Sequence, residues 1–168
     1  MKIAILSNGP GNYSTKRLKE EAENRGHEVD IIKYKNCYVS IDDKNPSVMY
    51  EGEKVSGYDI IIPRIASNMT GYGTAVVRQL ESSAPKAFFM NRSLAITRAR
   101  DKLRSTQLLA KAGVAIPKTV ISRNATDIDD LLEEIGGTPV IIKLARGTHG
   151  NGVVLAETRK AAKSVLQA

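Results

Sequence analysis

Lys143 closes an apolar run, residues 140–142, and Gly147, Gly150 and Gly152 then fall within six residues. A second apolar run, residues 153–156, follows at once. Glycine admits positive φ and close backbone approach, so successive amide N–H groups can converge on phosphate oxygens. Lys143 adds a point charge at the loop's mouth and Thr148 a hydroxyl donor. His149 lies in the same loop, either facing solvent or placing its charge near phosphate. On these residues alone, a hairpin whose glycines only satisfy turn geometry stands level with a phosphate-binding loop. A Walker A loop does not fit, because there the lysine follows the glycines and opens a helix. A hairpin cover over phosphates is the geometry expected.

A second glycine pair, Gly9 and Gly11, follows the apolar run 3–6, and Asp30 lies about where a dinucleotide fold carries its ribose-binding acid. Ser14 occupies the third glycine position, and Pro10 removes a donor from the cradle. The favoured reading is an α/β unit with a tight first turn. Arg64 follows a buried run at 59–63, where the carboxyl end of a parallel strand commonly meets a ligand crevice. It is a candidate contact to carboxylate or phosphate. Tyr72 is bracketed by Gly71 and Gly73.

The elements that would position these groups alternate. Residues 2–7 and 29–32 read as strands flanking a helix that Ser14 caps and Gly26 ends. Residues 47–55 read as a hairpin turning at Glu51-Gly52, and 58–63 and 87–90 as further strands. Residues 69–73 read as a loop, with Thr74 capping a helix through Glu81. The order describes an open parallel-sheet α/β domain over residues 1–95. From Ser93 to Ala112 the pattern is helical, broken near Lys102 and ended by Gly113, with Ile96, Ala99, Leu103, Leu108, Leu109 and Ala112 as an inward stripe. Residues 116–121 read as a strand. Thr126 and Asp129 form a capping box for a helix over 127–135, closed by Gly136-Gly137. A last helix after Thr158 keeps its apolar period to Ala168, and a piece of a longer protein is the expectation.

At 168 residues, 42% apolar and 26% charged, the composition is that of a globular protein. The first apolar run is too short for a signal peptide, and no segment approaches the roughly 18 apolar residues needed to span a bilayer. Cys37 is the single cysteine, which excludes an internal disulfide framework and a thiolate metal cluster. A cytoplasmic protein without membrane contact is expected. The net charge of +7 invites an anionic partner, yet aromatics are 5% of the chain and no aromatic-rich basic strand offers rings to stacked bases. Direct nucleic-acid binding is therefore not expected. A basic nucleotide pocket or an acidic substrate explains part of the same charge.

At residues 96–104, ITRARDKLR, together with Lys143 and the loop RGTHGNGVV, the sequence resembles the RimK family of ATP-grasp ligases. The likeness runs through MKIAILS at the start, IIPRI at 61–65, GYGTA at 71–75, ARDKLRS at 99–105 and GVVLAETR at 152–159. It implies a pre-ATP-grasp domain to about residue 95, then an incomplete ATP-grasp α+β subdomain over 96–168. It implies that Lys102 and Lys143 contact ATP phosphates, that Arg146, Gly147, Thr148, His149, Gly150, Asn151 and Gly152 fold over them, and, more weakly, that Arg64 and Tyr72 lie on the substrate side. It also implies a ligase that activates a carboxylate as an acyl phosphate and joins it to an amine. The expected reaction adds glutamate to the C-terminus of ribosomal protein S-six, the sixth small-subunit protein, with ATP and magnesium or manganese. The metal ligands are expected downstream of Ala168, so no catalytic or metal residue is assigned here and the chain alone is expected to be inactive. Homo-oligomers are expected. Two alternatives stand beside this: a related ligase for another amino acid or peptide, and a non-catalytic nucleotide- or ribosome-binding module.

Overall fold

The computed structural model describes residues 1–123, 127–143 and 152–167. They form two compact units, Met1–Arg100 and Asp101–Ala168, each built round its own core.

The first unit is organised by β1 (Lys2–Ser7), buried from Ile3 to Ser7. It pairs in parallel with β2 (Glu28–Ile32) on one side and β6 (Ile60–Arg64) on the other. With β7 (Phe88–Phe89) beyond β6, the sheet order is β2-β1-β6-β7. Side chains alternate across a strand, and β1 uses both faces. Ile3 and Ile5 join Val29 and pack against Leu18 and Ala22 of α1 (Tyr13–Asn24). Ala4 and Leu6 point the other way, into a larger cluster with Val76, Val77 and Leu80 of α2 (Thr70–Ser83). The sheet is thus covered on both sides, as parallel sheets require.

Between β2 and β6 the chain forms an antiparallel sheet of β3 (Tyr38–Ser40), β4 (Ser47–Tyr50) and β5 (Glu53–Lys54). Glu51 and Gly52 both take positive φ, 51° and 85°, the two-residue turn expected between β4 and β5. Then α3 (Ser93–Arg100) follows β7, its start held by Glu81 of α2, which accepts from the Ser93 N–H at 2.7 Å and the Ser93 hydroxyl at 2.8 Å.

The second unit contains α4 (Lys102–Lys111), α5 (Ile128–Ile135), the hairpin of β8 (Val140–Lys143) and β9 (Val153–Ala156), and α6 (Arg159–Gln167). Ile128, Leu132, Ala156 and Ala162 form its core, with Val140, Ile142 and Leu166 packed against them.

Several expectations are corrected. Asn12, not Ser14, occupies the cap position of α1; Gly26 does end that helix, with its N–H on Glu23 O and the His27 N–H on Ala22 O. Residues 69–73 are not a loop. α2 already runs from Thr70, and Thr74 lies within it, its hydroxyl donating to the carbonyls of Thr70 and Gly71. β3 was not anticipated. Leu103, Leu108 and Leu109 of α4 are exposed, so no stripe is buried there. Residues 116–121 form no strand; two strands make the only sheet among the described residues of this unit, and the segment has no partner to pair with. Thr126 lies outside the described residues. Asp129 pairs instead with Arg159 and Lys163 of α6.

Candidate anion-binding sites

Parallel strands end together, and the register Ser7 to Arg64 brings the carboxyl ends of β1 and β6 side by side. The loops leaving them border a crevice of about 940 Å³, wholly within the first unit. Its polar walls come from Asn8 and Asn12 after β1, Lys35 after β2, Arg64 at the end of β6 and Asn68 after it, and Arg100 at the end of α3. The Arg64 guanidinium donates to Ser14 Oγ at 2.7 Å, and that of Arg100 to the Ile65 carbonyl at 2.7 Å.

The Gly9-Pro10-Gly11 turn is closed on itself. The Gly9 N–H donates to Ser7 Oγ at 3.3 Å and the Asn12 N–H to Gly9 O at 3.0 Å. A Cβ on Gly9 would lie 2.3 Å from Asn12 Nδ2, so this glycine serves the turn's own packing. Asp30 accepts from the Tyr58 hydroxyl at 2.9 Å and lies 3.6 Å from Lys2 Nζ. Burial first, then Asp30 and Glu28 beside it, push the Tyr58 phenol up. These partners tie the amino edge of the sheet together and favour the α/β unit over a dinucleotide site.

Tyr72 lies on α2, where its hydroxyl donates to the Cys37 carbonyl at 2.5 Å; it does not line the crevice. Burial pushes the Cys37 thiol up to about 11, so it stays protonated at neutral pH and is a poor nucleophile. Lys35 and Arg100 were not singled out from the sequence. Lys35 is brought in by a tertiary bond, its N–H to Asn8 Oδ1 at 2.9 Å across 27 positions, which leaves no local signal.

In the second unit, Lys143 is the last residue of β8 and pairs with Val153 in an antiparallel register. Its side chain is exposed. Gly152 takes φ 77° immediately before β9, a conformation that favours glycine. Arg146, Gly147, Thr148, His149, Gly150 and Asn151 lie outside the described residues. Lys102 opens α4, behind Asp101, whose carboxylate accepts the Arg104 N–H at 3.0 Å. The helix dipole and the lysine together favour an anion at that end. Lys143 at a strand end and Lys102 at a helix start are thus both exposed cations. A magnesium site does not fit: among the described residues no group of three or more His, Cys, Asp or Glu could hold a metal ion.

Comparison with known proteins agrees with this architecture. The RimK PreATP-grasp domain family model matches residues 1–96, and the RimK-like ATP-grasp domain model matches residues 99–168. A protein named probable alpha-L-glutamate ligase 2, from Pseudoalteromonas atlantica, is 54% identical over the whole chain, which covers 55% of that protein. The chain thus spans about half the length of the curated relatives it matches. Among solved structures, a RimK domain protein ATP-grasp from Sphaerobacter thermophilus superimposes with a TM-score of 0.69 at 20% identity, over 99% of this chain and 58% of that one. The ATP-grasp ligase PsnB, in complex with minimal precursor, Mg and ADP, gives 0.68 at 16% identity, over 99% and 62%. Those two likenesses concern the fold. The chain, on the match of both family models, belongs to the RimK family of ATP-grasp proteins.

Proposed function

We propose that this chain is the amino-terminal part of an ATP-dependent ligase that adds glutamate to the C-terminus of ribosomal protein S-six. Residues 1–95 would form the pre-ATP-grasp domain and residues 96–168 the first part of the ATP-grasp domain. Relatives named glutamate ligases at 54% identity support the reaction class. The single observation that carries the site is the β8–β9 hairpin, with Lys143 at its mouth and a left-handed Gly152 opposite.

ATP, when bound, supplies the phosphoryl group that turns the acceptor's carboxylate into an acyl phosphate. The glutamate amine then attacks that carbonyl, forming the amide and releasing phosphate. The chain's own part is electrostatic. Lys143 and Lys102 would neutralise phosphate charge as it redistributes toward the leaving oxygen, and glycine backbone in the hairpin would let amides approach closely. Such groups act by being held in place before the reaction, which a strand end and a helix start provide. No step here depends on the metal, whose ligands would lie beyond residue 168. The proposed acceptor, ATP and glutamate are all cytoplasmic, so the reaction belongs there.

The full-length protein, given ATP, magnesium, glutamate and the ribosomal protein, should increase the acceptor's mass in glutamate steps. Lys143→Ala should slow this by at least about a hundredfold, the effect of removing one preorganised charge-stabilising donor. ATP consumption without added mass would move the acceptor elsewhere. An intact protein that consumes no ATP sinks the ligase reading.

A further inference from the structure

The crevice of the first unit presents Lys35, Arg64 and Arg100, and no aspartate or glutamate lines it. None of the three pairs with a carboxylate among the described residues, whereas Arg17, Lys19 and Arg25 of the same unit each pair with glutamates along or just after α1. Arg64 and Arg100 are instead oriented by neutral acceptors, a serine hydroxyl and a main-chain carbonyl. Those bonds fix the guanidinium planes without cancelling their charge. The crevice is therefore electropositive, and its cations come from two strand ends and a helix end.

The identity of the anion follows from what else is present. A phosphate cradle needs free amides, and the turn after β1 spends those of Gly9 and Asn12 internally, while Pro10 has none. Recognition falls to guanidinium forks, whose planar donors match a carboxylate or a phosphate at two points. The only aromatic ring in the lining, Tyr34, is buried, and its hydroxyl accepts the Ala66 N–H at 2.8 Å, so a nucleobase finds no platform. Asn12, Asn68 and Asn91 add amides of the kind that pair with a peptide main chain.

We infer that this crevice is an acidic-peptide subsite, in which Arg64, Arg100 and Lys35 hold the carboxylates of a glutamate-ended peptide. The inference rests on the ligase reading for the identity of that peptide. Each added glutamate raises the tail's charge by one, so the crevice would hold a lengthening product more firmly than the unmodified acceptor.

The test uses the full-length protein without ATP and follows the anisotropy of labelled peptides ending in a run of glutamates or of glutamines. The glutamate peptide should bind at least about tenfold tighter, with the gap narrowing as salt rises. Arg64→Gln and Arg100→Gln should each remove roughly tenfold, the effect of losing one charge-assisted pair. Arg64→Lys should recover only part of it, because the charge returns without the fork. Equal binding of the two peptides overturns the inference. So does undiminished binding in a double Arg64→Gln, Arg100→Gln variant that melts like the wild type. If that variant does not fold, Lys35→Gln decides, and unchanged selectivity there overturns it. Equal displacement by a single-stranded RNA would make the crevice a general polyanion surface and also overturns it. Glutamate-selective binding by a protein that adds no glutamate leaves the crevice standing and sinks the ligase reading; the opposite pair of results sinks the crevice alone.

Discussion

An alanine at Gly73 would set its Cβ 2.4 Å from Cγ2 of Ile65, a buried residue. Helix propensity favours the alanine by roughly 0.5–1 kcal/mol. Overpacking costs about 1–3 kcal/mol, and here it wins. Gly73→Ala should therefore lose about 1–2 kcal/mol in denaturant unfolding. Because the Ile65 carbonyl holds Arg100, the same change should also disturb the crevice. Gly11→Ala is the control: an added Cβ meets nothing within 4 Å, and stability should stay within about 0.5 kcal/mol. A wild-type value for Gly73→Ala would show that Ile65 can move aside. Neither outcome could be read from the sequence, where Gly71 and Gly73 look alike as loop residues.

Asp129 joins two elements. Its carboxylate accepts from Lys163 at 2.7 Å and Arg159 at 3.3 Å, linking α5 to α6. The hydrogen bond from Lys163 and the charges of Lys163 and Arg159 hold its carboxyl below the usual range. Folding is thus favoured by its ionised form above the unfolded value of ~3.9, and that contribution is lost as pH falls through the folded value. Wild type and Asp129→Asn should differ in melting temperature at neutral pH and converge in acid; a constant difference would mean the pairs contribute nothing through charge.

The same elements show what sequence could carry. β1, the Glu51-Gly52 turn and the strands around Lys143 were legible, because each is fixed by local pattern: a buried run, a positive-φ pair, an apolar stretch cut by glycines. The start of α2 was not. Two weak helix formers open it, and burial of Val76, Val77 and Leu80, about two to three turns further along, stabilises it, a tertiary effect. Residues 116–121 have strand-like composition, but β-structure exists only in pairs. The candidate site divides likewise. Arg64 was marked by its place at a strand's end, whereas Lys35 and Arg100 reach the crevice through contacts distant in sequence.

The whole molecule is uneven in how deeply it buries its backbone. The first unit has two hydrophobic clusters on either side of a four-stranded sheet; the second has one small cluster against a two-stranded hairpin. Amides of β1 and of Ile61 should be the slowest to exchange with solvent, and those of β8 and β9 faster by on the order of a hundredfold or more. Equal protection in both sheets would contradict this reading.

The central place of β1 also sets a clock. The N–H of Lys2 donates to the carboxylate of Asp59, which immediately precedes β6, 57 residues further along the chain. At about 5–20 residues per second, a ribosome needs roughly 3–11 s to make that span. Until β6 is made, the edge of β1 that it pairs has no native partner, and Ile3, Ile5 and Leu6 are open there to any other extended segment. For this sheet, the hazard of mispairing belongs to the nascent chain and ends when β6 docks.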